Sequence, residues 1–161
     1  CSMDKRLMIG MALLLCFFCV KAQTVVKLES DIRPIVRVQI NGKVEYMIID
    51  TGSSINILSP QTVYKYKVRI RTQYTGTVYS AKGHTNAVHV DSVMIKIKEM
   101  EINQFVMINL SSITDNILQA TGIKIAGILG TPAIKELKMI IDLSRGIVTI
   151  NKNSDTTVST D

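Results

Sequence analysis

The sequence predicts an all-β domain, and three observations carry that prediction. Apolar and polar residues alternate at period two through Ile35-Val36-Arg37-Val38-Gln39-Ile40, which is the periodicity of a half-buried strand and not of a helix. Asn41-Gly42 separates that segment from a second one, and both residues tolerate the positive φ of a tight hairpin turn. Two short apolar runs end at glycine-containing turns: Tyr46-Met47-Ile48-Ile49-Asp50-Thr51-Gly52 and Ala126-Gly127-Ile128-Leu129-Gly130.

Taken in order, the first strand covers Pro34 to Ile40 and the second Val44 to Ile49. The end of the second, Met47-Ile48-Ile49, is continuously apolar, so burial on both faces is expected there. Ile55, Ile57 and Leu58 continue the core. Ser59-Pro60-Gln61 reads as a helix cap followed by proline at the first helical position, opening a short helix to about Tyr66. Thr77 to Ser80 and Thr85 to Val90 form a hairpin around Ala81-Lys82-Gly83-His84, with Gly83 supplying the turn conformation. Val93, Ile95 and Ile97 alternate with Met94, Lys96 and Lys98, and Phe105 to Leu110 adds a strand. Ala126 to Leu129 is a short buried strand, and Thr131-Pro132 opens a second short helix through about Leu137. Met139 to Asp142, a turn at Ser144-Arg145-Gly146, and Ile147 to Ile150 close the domain. Met94, Met100, Met107 and Met139 are expected to fill core gaps. Lys65, Lys67, Arg69 and Arg71 alternate, so they are expected to share one solvated face of an extended strand.

The ends read differently from the middle. Met3-Asp4-Lys5-Arg6, the apolar run Leu7 to Val20, and Val20-Lys21-Ala22 have the layout of a secretory signal peptide cleaved after Ala22. That run is short for a membrane span, so no stable span is expected after cleavage, and the location is periplasmic or secreted. The domain organisation is therefore 1–22 signal peptide, 23–150 folded domain, and 151–161 polar tail, expected to be disordered. Cys1, Cys16 and Cys19 all precede the cleavage point, leaving the mature chain without a disulfide, a thiol nucleophile or a thiolate metal site. The net charge is +6 from 19 basic and 13 acidic residues. Removing Lys5, Arg6, Lys21 and Asp4 leaves 16 basic and 12 acidic. That mild excess, with no aromatic stacking pattern, excludes nucleic acid as an expected partner.

The chemistry-bearing residue is Asp50, an acid placed at the end of an apolar strand and followed at once by Thr51, Gly52 and Ser53. Asp142 also follows two isoleucines but lacks the Thr-Gly turn, which assigns it a structural role at a strand end. His84 and His89 have no carboxylate cluster near them in sequence, so a surface role is expected and a metal site is not. Ser53 and Ser54 have no local His and Asp partners for serine catalysis.

In order along the chain, Ile48-Ile49-Asp50-Thr51-Gly52-Ser53, the hairpin near Gly83, and Gly127-Ile128-Leu129-Gly130-Thr131-Pro132 followed by Ile140-Ile141-Asp142 resemble the retropepsin-like aspartic peptidases, in their bacterial single-domain form. The resemblance spans about Pro34 to Ile150. It implies a retropepsin-like closed β-barrel with a flap hairpin and one or two short helices. It also implies an aspartic endopeptidase that activates water with two carboxylates sharing one proton, needing no cofactor and no metal. The chain has one Asp-Thr-Gly triplet; Ala120-Thr121-Gly122 lacks the acid. The resemblance therefore implies a homodimer with Asp50 from each copy, acting on a peptide or protein substrate. Thr51 would bond across the two-fold axis, Gly52 would let the loops approach, and Ser53 would bond the outer oxygen of Asp50. Tyr79, Ala81, Lys82 and Gly83 would be the flap, and Gly127, Ile128, Leu129 and Gly130 the structural glycine element. A catalytically silent peptide-binding or dimerisation module on the same fold remains the alternative, as does a structural β-domain without a peptide groove.

Overall fold

The computed structural model describes residues 23–80, 83–91 and 93–151. The expected signal peptide, the flap-tip residues Ala81 and Lys82, and the tail from residue 152 lie outside the described residues. Twelve strands and three helices are described: β1 Thr24–Lys27, β2 Ile35–Ile40, β3 Lys43–Ile49, β4 Asn56–Leu58, α1 Pro60–Lys65, β5 Ile70–Ser80, β6 Gly83–Val90, β7 Ile95–Ile97, β8 Met100–Ile102, β9 Phe105–Met107, α2 Ser111–Thr121, β10 Gly127–Leu129, α3 Thr131–Glu136, β11 Met139–Asp142 and β12 Ile147–Ile150. The fold is mostly β, a curled sheet with a few short helices.

Nine strands form one sheet in the order β5-β6-β9-β4-β10-β3-β2-β7-β8, and β1-β12-β11 form a second. The β2–β3 hairpin turns at Asn41 and Gly42, with φ of 48° and 80°, as their tolerance of positive φ dictates. β3 lies between antiparallel β2 and parallel β10. Its central position explains the apolar run Met47-Ile48-Ile49: Met47 and Ile49 are buried and Ile48 is half-buried. Ile35, Ile40, Met47, Leu58, Ile95, Ile97, Leu129 and Leu137 are among the fully buried side chains. Each contributes about 1.5–3 kcal/mol relative to exposure.

α1 starts as the sequence requires. Ser59 Oγ accepts a hydrogen bond from the Thr62 N–H, and Pro60 occupies the first turn, where no N–H is needed. Thr62 Oγ1 then donates to the Ala126 carbonyl, tying α1 to the strand that enters β10. The helix ends before a left-handed Lys67, with φ of 51°.

Three expectations are corrected. Lys65, Lys67, Arg69 and Arg71 do not share a strand face: Lys65 ends α1, Lys67 sits in the left-handed turn, and only Arg71 lies within β5. Met94 is 51% exposed and fills no core gap, because the alternation that buries Val93 and Ile95 turns it outward. A third helix, α2, occupies residues where no element was expected. Among its residues only Ile117 is buried, so its apolar stripe is too thin to stand out in the sequence.

At the end of the described chain, the Asn151 N–H donates to the Leu137 carbonyl and its side-chain amide donates to the Lys138 carbonyl. Asn151 therefore belongs to the body of the domain.

Candidate active site

Asp50 leaves the end of β3, and its N–H donates to the Leu129 carbonyl at 2.9 Å. That bond extends the parallel β3–β10 pairing by one residue and fixes where the acid emerges. The carboxylate is exposed, and its Oδ1 accepts from the Gly52 N–H at 2.8 Å. A Cβ built on Gly52 would stand 3.2 Å from that same oxygen, so any larger residue here would crowd the carboxylate. Thr51 and Gly52 are exposed beside Asp50.

The turn is braced from behind. The Ser53 carbonyl accepts two bonds from Thr131, one from its N–H and one from its hydroxyl, both at 2.8 Å. Asn56 is 1% exposed. Its Oδ1 accepts from the Gly130 N–H at 2.9 Å, and its amide donates to the Asn103 carbonyl at 3.3 Å. Those bonds satisfy a buried side chain that would otherwise be costly. Gly130 and Gly127 are required by close approach. A Cβ on Gly130 would lie 2.2 Å from the Ile55 carbonyl oxygen, and one on Gly127 2.0 Å from that of Ile57. Ile128 and Leu129 between them are buried, at 3% and 0% exposure.

Ser53 departs from the role the resemblance implied. Its hydroxyl donates to the Ile55 carbonyl at 2.7 Å, while the bond to Asp50 comes from Gly52. A hydroxyl has one proton, and here that proton closes the turn between Ser53 and Ile55.

The β5–β6 hairpin rises from the same sheet. Of the expected flap residues, Tyr79 is 82% exposed and pairs across the hairpin with His84, their ring centroids 6.4 Å apart. Gly83 has φ of 120°, a conformation open to glycine and rarely to other residues. Val78 is half-buried against a cluster containing Ile57, Ala87, Val106, Ile108 and Ile128. That packing gives the hairpin an apolar inner face directed at the sheet.

Asp142 is a turn residue. Its Oδ1 accepts from the Ser144 hydroxyl at 2.7 Å and the Arg145 N–H at 3.0 Å. The Ser144 bond first, and then the Arg145 bond, hold its carboxyl below the usual range. It nonetheless lines one open cavity with Asp50, Thr51, Pro34, Ile140 and Leu143. Among the described residues, no group of three or more His, Cys, Asp or Glu side chains is gathered closely enough to hold a metal ion.

Sequence reasoning passed over Asn56 and Thr131 as parts of the site. Their signal was faint: an isolated Asn in an apolar run, and a Thr read as a helix opener within the glycine motif but given no role of its own.

An acid on a braced glycine turn, at the end of a strand that pairs in parallel with a second glycine-flanked strand, is the arrangement of a retropepsin-like aspartic protease domain. The family model described as aspartyl protease matches residues 36–133, and the chain belongs to that family. Solved structures agree on the fold. The EIAV protease complexed with the inhibitor HBY-793 is 21% identical with a TM-score of 0.51, covering 68% of this chain and 92% of its own. A retropepsin-like aspartic protease from Rickettsia conorii is 14% identical with a TM-score of 0.51, covering 80% and 98%. The retroviral protease-like domain of Ddi1 from Leishmania major is 20% identical with a TM-score of 0.52, covering 81% and 92%. No curated protein matches the chain.

Proposed function

We propose that the protein is an aspartic endopeptidase whose catalytic pair is Asp50 from each of two copies, which hydrolyse an extended peptide held beneath the β5–β6 hairpins. The observation that carries this reading is the exposed Asp50 carboxylate on its braced turn, oriented by the Gly52 N–H and supplied once per chain. Two carboxylates brought close cannot both ionise, so one takes a proton from water while the other donates to the peptide carbonyl oxygen. Aspartic proteases are the standard case of that principle. A second copy has a place to sit: β11 is an edge strand, and exposed Ile140 and Leu143 flank the cavity that contains Asp50. Thr51, exposed on the turn, would bond across the two-fold axis to the partner's turn, and the hairpin would add strand-like hydrogen bonds to the substrate.

The test is turnover of a peptide library at acidic pH by wild type and by Asp50→Asn. Asparagine keeps the shape of the side chain and loses the base. A drop of roughly 10²–10⁴-fold is expected for lost acid–base catalysis. A variant that keeps more than about a tenth of wild-type turnover contradicts the assignment. The charged start and apolar run before Gln23 support export, with Gln23 as the mature N-terminus. N-terminal sequencing of protein recovered from a periplasmic or culture fraction tests that step, and an uncleaved N-terminus there refutes it.

A further inference from the structure

A cavity of about 620 Å³ opens beside the base of the β5–β6 hairpin. Its floor is apolar, from Ile55, Phe105, Val106 and Pro132, and its rim carries Arg71, His89 and Asp91. Arg71 lies opposite His89 in the β5–β6 pairing, and His89 pairs with Val106 on its other side. The three rim residues thus sit at one end of the sheet. The Asp91 carboxylate accepts from Arg71 Nε and is ion-paired with its Nη2. That pair orients the guanidinium, whose side chain is still 56% exposed, against 22% for Asp91. A charged group entering from solvent therefore meets the cation before the anion.

The cavity is near the acid. Ser54, on its wall, follows Asp50 by four residues, and four residues of chain span at most about 14 Å. An extended peptide advances about 3.3 Å per residue. The cavity shares no lining residue with the one that contains Asp50, so a peptide cleaved at Asp50 can bring to this opening a side chain beyond those that adjoin the scissile bond and no more than about four residues from it.

We propose that the cavity receives an acidic substrate side chain, glutamate, beyond the residues that adjoin the cleaved bond and no more than about four residues from it, with its carboxylate on Arg71 and its methylenes on the apolar floor. The inference rests on the peptidase reading and deepens it to a substrate class. Glutamate has the stem to cross the floor, and a guanidinium fork held in place takes a carboxylate with defined geometry. A lysine in the same position would be set against Arg71, because the Asp91 carboxylate is already covered by the guanidinium.

The experiment compares kcat/KM for matched peptides carrying Glu, Gln or Lys at each of four positions on either side of the cleaved bond. Wild type, Arg71→Gln and Arg71→Lys are assayed, and the Glu-to-Gln ratio within each protein is the readout, so a general loss of activity cancels. Wild type should prefer Glu by about fivefold, the scale of a partly exposed ion pair, at a single position beyond those that adjoin the cleaved bond. Arg71→Gln should bring the ratio to one, and Arg71→Lys should keep part of it. A ratio unchanged by Arg71→Gln, or a preference confined to residues adjoining the cleaved bond, overturns the proposal. If wild type cleaves nothing, the same peptides are titrated by fluorescence anisotropy against Asp50→Asn and against the double variant that combines Asp50→Asn with Arg71→Gln. An Arg71-dependent Glu preference in binding then supports the cavity while the peptidase reading fails. The absence of that preference, with or without binding, overturns the cavity assignment.

Discussion

Asp50 takes its hydrogen bond from the Gly52 N–H, and the hydroxyl of Ser53 is committed to Ile55. The position of the acid was legible because an apolar strand running into Asp-Thr-Gly is a local pattern. Which neighbour donates to it was not legible, since that depends on torsions within a turn that the residue types leave open. Glu45 illustrates the same limit. Its Oε1 accepts from Lys65 Nζ and from the Tyr66 hydroxyl, each at 2.5 Å, across twenty or more residues of sequence. Burial pushes the Glu45 carboxyl up, but those two bonds, with the charges of Lys65 and Lys124, outweigh it and hold the group below its ordinary value of 4.5. A carboxyl with a lowered folded-state value stabilises the fold above its unfolded value, and that contribution is lost as pH falls through the folded one. Melting temperatures measured from pH 6 to pH 3 should therefore fall less steeply below pH 4.5 for Glu45→Gln than for wild type. Parallel curves would remove Glu45 from the acid response.

Among the elements, those defined by short-range chemistry were readable. The Asn41-Gly42 hairpin, the Ser59-Pro60 helix start and the closing β11–β12 hairpin all follow from turn residues and alternation within a few positions. β1, β8 and α2 were missed. β1 owes its place to pairing with β12, 120 residues away, and such partners leave no local mark. α2 has no side-chain bond at its Leu110 cap and buries only Ile117. Its readable signs were the Ile113 and Ile117 spacing and Gly122, whose φ of 73° ends the helix. The glycine element was visible in sequence, but the reason for it is tertiary: β10 and Gly130 run against the backbone of β4 and of the Asp50 turn. Gly130→Ala would place a methyl 2.2 Å from the Ile55 carbonyl oxygen and 2.7 Å from that of Ser53. Both contacts are backbone, so the turn itself must move. Urea unfolding should show a loss of about 3 kcal/mol, the upper range for overpacking, together with loss of turnover. An unaltered midpoint would mean that the turn does not depend on this contact.

For the whole molecule, the central fact is that one chain carries one Asp-Thr-Gly. The described domain buries its apolar residues in three clusters and covers β3 fully on one face and partly on the other, yet it leaves Ile140 and Leu143 at 60% and 53% exposure beside Asp50. If Asp50 is half of the proposed pair, an apolar patch at an edge strand beside it is the expected footprint of a second copy. Ile140→Arg should leave the monomer folded, because the residue is exposed. It should raise the dimer dissociation constant by at least about tenfold, equivalent to about 1.4 kcal/mol, read by sedimentation velocity over a dilution series. A dissociation constant unchanged by the substitution would place the interface elsewhere.

The shared catalytic pair is tested most directly by mixing. Wild type at fixed concentration is titrated with increasing Asp50→Asn protein, and peptide turnover is followed after the subunits have exchanged. If two Asp50 carboxylates form one site, mixed dimers carry a single working acid, and activity should fall towards zero as the variant comes into excess. Activity that stays constant and simply follows the wild-type concentration would show that one chain is sufficient, and would contradict the account.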